Sequence, residues 1–244
     1  MCETGRELPR GKRLGLFLIC LKCVWICDEV IIFCFAGEFR GNFVICGRFP
    51  VVMKKNFGRL ILGLFGWKLN VPWRFRIKKA VMIGAPHTSN WDIVFSLAGM
   101  WAAGYRPRFF IKKEWTENFF VGWLIRWLGG IGVDRSKRNN LVEYSVEMLN
   151  QTDDLILLVP AEGTRSRVPA WKKGFYYIAL KADLPVILAY LDYRKKEAGV
   201  GDVMKLTGDF EKDMEKIERF YKHIHPKYPE KYNPEIFIRS AKNH

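Results

Sequence analysis

His87 and Asp92, five positions apart, have the side chains that a general base requires. A histidine can take up a proton near neutral pH. A carboxylate that accepts a hydrogen bond from the second ring nitrogen fixes the histidine tautomer and stabilises the imidazolium ion. Such a pair could remove a proton from a hydroxyl group or from water. It needs no serine or cysteine nucleophile if the acceptor hydroxyl itself attacks.

The residues around this pair predict a strand and a helix that hold it in place. Residues 80–84 are a short apolar run that is typical of a buried strand, and a proline follows soon after it. Residues 90–103 have the apolar spacing of a helix, so Asp92 would lie in its first turn. Open α/β sheets bind ligands in the loops between a strand and the next helix. The sequence therefore places His87 where a binding site is expected.

The same stretch has a second, structural interpretation. Ser89 and Asp92 have the spacing of a capping box, in which two side chains satisfy backbone N–H groups at the start of a helix. Both interpretations remain open on these residues alone. The position of His87 favours catalysis, because the other three histidines of the chain lie near its C-terminus.

Two further strand ends carry groups that could bind a phosphate. The apolar run 155–159 predicts a central parallel strand, and it leads into a polar loop. The residues of this loop that we expect to contact substrate are Glu162, Gly163, Thr164 and Arg165. Residues 130–135 predict a short strand that ends in Arg135. A guanidinium group can pair two phosphate oxygens at once. Taken alone, Arg135 is better explained by a surface salt bridge.

The order of the predicted elements indicates the fold class. Apolar runs that predict strands alternate along the chain with amphipathic segments that predict helices. This alternation is typical of an α/β domain with a mainly parallel central sheet flanked by helices. Further strands are predicted at 107–112, 130–135 and 184–190, and helices at 116–128, 139–151, 175–182 and 209–224.

The composition favours an anionic partner. The 244 residues carry a net charge of +15 and include nine tryptophans and eighteen phenylalanines. A basic, aromatic protein could bind nucleic acid, an anionic membrane surface or a phosphorylated substrate. No helix-turn-helix, zinc or RNA-binding signature stands out, so we expect no nucleic acid partner.

The cysteines are confined to the start of the chain. All six lie in the first 46 residues. Cys20 and Cys23 form a Cys-x-x-Cys pair, but no second pair at zinc-finger spacing accompanies it, so no metal site is expected. The rest of the chain has no cysteine, which excludes cysteine catalysis there.

We divide the sequence into three parts. Residues 1–52 are an N-terminal extension, either a start-site artefact that precedes Met53 or a weak membrane anchor. Residues 53–75 are an amphipathic membrane-interface segment, in which an interfacial helix is predicted at 54–69 because lysine and tryptophan accompany bulky apolar residues. A first helix that packs in the core is the alternative. Residues 76–244 form the main domain.

Four blocks of the main domain together resemble the glycerolipid acyltransferase family, which includes the lysophosphatidate acyltransferases. His87 and Asp92 match the H-x-x-x-x-D motif of this family. Residues 130–135 match a glycine-containing strand that ends in arginine, and residues 162–166 match the motif E-G-T-R-S. A fourth block, an apolar strand with proline, is matched loosely. Residues 76–244 are accordingly identified as an acyltransferase domain.

The resemblance implies an O-acyltransferase that moves a fatty acyl group from acyl-CoA or acyl carrier protein to the free hydroxyl of a lysophospholipid. The first expected acceptor is 1-acyl-glycerol-3-phosphate, which would give phosphatidate. His87 would be the base, and Asp92 would orient it and balance its charge. The residues implied to hold the acceptor phosphate are Arg135, Glu162, Gly163, Thr164 and Arg165. No metal or redox cofactor is implied.

The expected location is the cytoplasmic face of a membrane. Each basic residue near an anionic bilayer contributes about 1 kcal/mol of attraction, and acyl thioesters occur on the cytoplasmic side. Three alternatives remain open. They are an acyltransferase with another lyso-lipid acceptor, a lipid hydrolase that uses the same base with water, and a basic non-catalytic protein that binds membranes or nucleic acid.

Overall fold

A computed structural model describes the protein at residues 49–72, 77–134 and 141–239. Apart from Phe49, these residues all belong to the unit Pro50–His244. Residues 1–48, which make up most of the predicted N-terminal extension, lie outside the described ranges. Arg135, a predicted phosphate ligand, also lies outside them.

Seven strands of the described residues, numbered β1 to β7 along the chain, pair into one sheet. They are Lys68–Asn70, Lys79–Ala85, Pro107–Lys112, Gly130–Val133, Leu155–Val159, Val186–Asp192 and Glu197–Met204. Their order across the sheet is β1-β7-β6-β2-β5-β3-β4. Neighbouring strands are parallel, except that β6 and β7 are antiparallel. The prediction of a mainly parallel sheet is confirmed.

The strands β1 and β7 have no counterpart among the predicted elements. β1 is three residues long and exposed along its length. β7 contains two glycines and two acidic residues, so it lacks the apolar run that marks a strand inside a parallel sheet. Both strands lie at one end of the sheet, where less apolar surface has to be buried.

Seven α-helices of the described residues flank this sheet. Numbered α1 to α7, they are Phe49–Leu64, Trp91–Ala102, Lys113–Glu117, Gly122–Leu128, Leu141–Asn150, Gly174–Lys181 and Phe210–Tyr221. Alternate residues of a strand point to opposite faces of a sheet. Val81 and Ile83 of β2 therefore share a core with α5, α6 and α7, whereas Met82 packs beside α2.

The single helix predicted at 116–128 is wrong, because the chain forms two short helices there, α3 and α4. Asn118 follows α3 with extended backbone angles, φ −61° and ψ 129°. Its side-chain oxygen accepts hydrogen bonds from the backbone N–H groups of Phe120, at 3.0 Å, and Val121, at 3.1 Å. An asparagine that bonds to nearby backbone in this way competes with helix formation. The apolar pattern alone does not reveal this break.

The helix α1 begins earlier and ends earlier than the helix predicted at 54–69. It ends at Leu64, and the chain then enters β1. Gly58 lies directly against α2, since a Cβ atom there would come within 2.4 Å of the carbonyl oxygen of Ala98. The backbones of the two helices are therefore in close contact. In the ranges described, no helix has the length and hydropathy that crossing a bilayer requires.

Candidate active site

Three adjacent parallel strands end at the same edge of the sheet and bring distant parts of the chain together. β2 lies between β6 and β5. His87 follows the end of β2, Glu162 follows β5, and Tyr193 follows β6. The carboxyl ends of adjacent parallel strands are the usual place for a ligand crevice in open α/β sheets.

His87 and Asp92 form a hydrogen-bonded pair. The Nδ1 atom of His87 lies 3.2 Å from Oδ2 of Asp92. The same carboxylate oxygen accepts hydrogen bonds from the backbone N–H groups of Thr88, at 2.7 Å, and Ser89, at 2.8 Å. The side chain of Asp92 is 4% exposed, whereas that of His87 is 24% exposed and can be reached from outside. With Nδ1 directed at the carboxylate, Nε2 is the atom that remains for a substrate proton.

Asp92 also caps the helix, so the structural and the chemical interpretations of this stretch both apply. The residue before α2, Asn90, makes no side-chain hydrogen bond to the helix end. Asp92 instead accepts from the N–H groups that precede the helix, and the hydroxyl of Ser89 accepts from the N–H of Trp91 at 3.2 Å. Burial alone would raise the pKa of Asp92. The hydrogen bonds from His87, Tyr193 and the backbone of Ser89 outweigh burial and lower this pKa below its usual value.

Tyr193 belongs to this site, and sequence reasoning missed it. Its hydroxyl donates a hydrogen bond of 2.6 Å to Oδ1 of Asp92. Burial raises the pKa of Tyr193, and the neighbouring Asp92 carboxylate raises it further, so the hydroxyl keeps its proton. The only signal in the sequence is its position directly after an apolar strand. That signal does not identify its partner, which is 101 residues away.

The side chain of Glu162 is buried against the backbone of His87 and does not lie on the surface of its loop. It is 3% exposed, and its Oε2 accepts a hydrogen bond of 3.0 Å from the backbone N–H of His87. Its other oxygen, Oε1, is buried and has no hydrogen-bond partner in the part of the chain that is described. Burial raises the pKa of Glu162 from 4.5 to about 8, an effect that the His87 N–H opposes and the Asp92 charge reinforces. The side chain is therefore mostly protonated at neutral pH.

The rest of the predicted phosphate loop faces solvent. Gly163, Thr164 and Arg165 are exposed. Gly163 has a φ of +70°, a conformation that favours glycine, and it lies against the side chain of Lys172. The hydroxyl of Thr164 lies 3.4 Å from the backbone N–H of Ser166, a weak contact that leaves it accessible. Glu162 stands at the start of this loop, and its hydrogen bond to the backbone of His87 connects the loop to the histidine.

The predicted role of Arg135 depends on where the strand before it lies in the sheet. β4 ends at Val133 and is the edge strand, and β5 and β3 separate it from β2. Three strand spacings correspond to about 14 Å. Because Arg135 itself lies outside the described residues, its role as a phosphate ligand stays a prediction.

An apolar cavity opens beside the His87–Asp92 pair. Both residues contribute to its wall. Most of its wall consists of apolar side chains from α2 and the strands around β2. They include Met82, Phe95, Met100, Leu158, Leu191 and Val200. Within the described ranges, no three His, Cys, Asp or Glu side chains form a group that could hold a metal ion.

An α/β domain with an imidazole–carboxylate pair at the mouth of an apolar cavity has the features of an enzyme that activates a hydroxyl next to an apolar substrate. Comparison with known proteins identifies the class. The model of the Acyltransferase family matches residues 68–191, which is half of the chain, and the chain belongs to this family. The predicted membership of the glycerolipid acyltransferases is confirmed.

Individual relatives agree with this assignment. The chain is 26% identical over 239 residues to a 1-acyl-sn-glycerol-3-phosphate acyltransferase of Limnanthes douglasii and to one of Limnanthes alba. Each alignment covers 88% of this chain and 84% of the relative. Among solved structures, the lysophosphatidate acyltransferase PlsC of Thermotoga maritima superposes with a TM-score of 0.52 and 18% identity, over 70% of this chain and 76% of that chain. This likeness supports the fold.

Proposed function

We propose that this acyltransferase moves a fatty acyl group from an acyl thioester to the free hydroxyl of a lysophospholipid, with 1-acyl-glycerol-3-phosphate as the acceptor and phosphatidate as the product. The observation that carries the proposal is the His87–Asp92 pair in the wall of an apolar cavity. The names of the two plant relatives support the choice of acceptor.

In the proposed mechanism, Nε2 of His87 takes the proton of the acceptor hydroxyl as its oxygen attacks the thioester carbonyl. Asp92 holds the ring through Nδ1 and balances the charge of the imidazolium. A tetrahedral oxyanion forms, the carbon–sulfur bond breaks, and the thiolate leaves with the proton from His87. General base catalysis of this kind is worth about 10²- to 10⁴-fold in rate. We propose no metal or redox cofactor, since every proton and electron pair is supplied by the two substrates and this pair.

The apolar cavity is the proposed site of an acyl chain. Its wall combines apolar side chains with His87 and Asp92, so a chain that lies in it would place its carbonyl or glycerol end beside the histidine. Burial of one CH₂ group is worth about 0.8 kcal/mol. Each CH₂ group that enters the cavity would therefore strengthen binding without any specific polar contact.

The phosphate of the acceptor is proposed to lie at the exposed loop after β5. Arg165 offers a charged fork, Thr164 a hydroxyl, and Gly163 an approach to the backbone. Arg135 is retained in the proposal as a second guanidinium. Glu162 would act indirectly, because its hydrogen bond from the backbone N–H of His87 connects this loop to the base.

The membrane contact is proposed to involve α1 and the turn between α3 and α4. On α1, Leu60 is 57% and Leu64 is 74% exposed. In the turn, Phe119 is 88% and Phe120 is 81% exposed, and Trp123 in the first turn of α4 is 61% exposed. Exposed apolar patches of this kind are typical of membrane or protein contacts. Together with the net charge of +15, they favour an anionic bilayer at its cytoplasmic face, where acyl thioesters occur.

The test is acyl transfer by the full chain in liposomes that contain lysophosphatidate, with labelled acyl-CoA or acyl carrier protein as donor. We expect labelled phosphatidate from the wild type and none above background from His87→Ala. Transfer only to another lyso-lipid would keep the reaction and replace the acceptor. Release of free fatty acid without an acceptor would indicate a hydrolase. No product with any lyso-lipid from a folded protein would contradict the proposal.

A further inference from the structure

The segment after α7 returns onto the loop that carries His87. The backbone N–H of Tyr228 donates to the hydroxyl of Thr88 at 3.3 Å. A few residues earlier, the carbonyl oxygen of His225 accepts from the N–H of Tyr193 at 2.9 Å. This segment lies beyond residues 68–191, the part that matches the family.

The ammonium group of Lys227 lies among three aromatic rings at this edge. Its Nζ is 5.4 Å from the ring centre of Trp91, 5.9 Å from that of Tyr193 and 5.7 Å from that of Tyr228. Trp91 is the neighbour of Asp92 in the chain, and the hydroxyl of Tyr193 donates to Asp92. One aromatic side chain therefore separates this positive charge from the His87–Asp92 pair.

This charge has no negative counterpart in the described part of the protein. Lys227 is partly buried, yet no carboxylate there lies within 4.0 Å of its Nζ. Two carboxylates of the site are already engaged: Asp92 accepts from His87 and Tyr193, and Asp192 pairs with His225. Aromatic faces attract an ammonium ion within about 6 Å but leave its charge uncompensated. Such a group can bind an anion that arrives from outside.

We propose that Lys227 binds a phosphate group of a substrate at the entrance of the active site. The inference rests on the proposed function, which brings two phosphate-bearing molecules to this edge. The phosphate is either that of the lysophospholipid or one of those on the acyl donor. The three rings hold the ammonium in place, so little side-chain entropy is lost when the anion binds.

The experiment compares Lys227→Met with Lys231→Met in the full chain. Lys231 is a matched control, because its Nζ lies 4.6 Å from the ring centre of Tyr228 and it carries the same charge, but it contacts neither Trp91 nor Tyr193. We expect Lys227→Met to raise the KM of one substrate about tenfold, as expected for loss of one charge-assisted contact, with little change in kcat. Lys227→Arg should restore most of the affinity, and Lys231→Met should behave as the wild type.

The substrate whose KM changes identifies the source of the phosphate. A higher KM for lysophosphatidate alone assigns the contact to the acceptor, and a higher KM for the acyl donor alone assigns it to the donor. Equal effects of Lys227→Met and Lys231→Met would reflect general attraction to anionic surfaces and would overturn the inference. So would an unchanged KM for both substrates.

A binding measurement separates this inference from the proposed function. Short-chain lysophosphatidate below its micelle concentration, and coenzyme A, are titrated separately into His87→Ala with and without Lys227→Met, by calorimetry. Weaker binding of one of them on loss of Lys227 supports the inference even if no acyl transfer is found. Equal binding by the two proteins contradicts the inference even if acyl transfer is found. Thermal unfolding of each variant checks that the fold is retained.

Discussion

The hydroxyl of Tyr193 donates a hydrogen bond of 2.6 Å to Oδ1 of Asp92, the carboxylate oxygen that His87 does not contact. The other oxygen, Oδ2, accepts from His87 and from two backbone N–H groups. The carboxylate is thus held from two sides, by the loop after β2 and by the end of the neighbouring strand β6. This arrangement fixes the plane of the carboxylate and, through it, the orientation of the histidine ring.

Loss of the Tyr193 hydroxyl should slow the reaction without unfolding the protein. In Tyr193→Phe, we expect kcat to fall about tenfold, as for the loss of one hydrogen bond to a charged group. The hydrogen bond lowers the pKa of Asp92, so its removal should move the acidic limb of the pH–rate profile to higher pH. Tyr177→Phe, on the exposed side of α6, is the matched control. A normal kcat with an unshifted profile would refute this role for Tyr193.

Substitutions of Asp92 should separate its chemical role from its role as a cap. The amide of Asp92→Asn can still accept from Thr88 and Ser89 with its oxygen and can donate to the Tyr193 hydroxyl with its nitrogen. We therefore expect nearly normal stability, measured by urea unfolding, but activity lower by about 10²- to 10⁴-fold. Asp92→Ala should be similarly inactive and should lose a further 0.5–2 kcal/mol or so of stability with the cap. An active Asp92→Asn would contradict the proposed base.

The buried carboxyl of Glu162 should make the protein less stable in base. Its folded pKa of about 8 exceeds the usual 4.5, so the unfolded chain releases this proton first as the pH rises. The stabilisation is complete below pH 4.5 and is lost as the pH rises through about 8. The slope can reach about 1.4 kcal/mol per pH unit.

Glu162→Gln provides the comparison, because glutamine resembles the protonated acid. Its amide oxygen can still accept from the N–H of His87. Urea unfolding at several pH values should give a flatter stability curve for this variant than for the wild type, and activity at neutral pH should be largely retained. Parallel curves for the two proteins would mean that Glu162 titrates normally.

The turn between α3 and α4 should contribute to membrane binding. Serine in place of both Phe119 and Phe120 should weaken binding to anionic liposomes at least about tenfold, because burying a large apolar side chain is worth about 1.5–3 kcal/mol. The matched control changes Tyr144 and Tyr177, exposed aromatic residues on α5 and α6, to serine. Liposome flotation measures the binding. Equal losses of liposome binding in both double variants would contradict a specific role for this turn, because any exposed aromatic residue would then serve as well.

The sequence reveals the parts of this site that are local in the chain. His87 and Asp92 are five residues apart in the chain, so their spacing and the strand before them predict that their side chains meet. Glu162 is recognisable from its motif. Its contact with the backbone of His87 is not, because this contact depends on β5 pairing with β2, 75 residues away.

The parts that were missed depend on strand order. Parallel strands look alike in their apolar runs, so no pattern reveals that β6 and β5 flank β2 while β4 lies at the edge. For this reason Tyr193 goes unrecognised. The amphipathic pattern of α1 predicts a helix, but its end lies earlier than predicted, before Gly66, whose φ is +68°, and the chain then pairs as β1 with β7.

The contact between Gly58 of α1 and the backbone of α2 links the proposed membrane helix to the helix that carries Asp92. A side chain at position 58 would force these helices apart, and only glycine lets them meet so closely. This contact packs α1 directly against α2, whose first turn carries Asp92. If α1 makes the proposed membrane contact, this packing fixes the distance of His87 from the lipid surface, and acceptors reach it by lateral diffusion. Turnover should then follow the mole fraction of acceptor in the bilayer and not its bulk concentration.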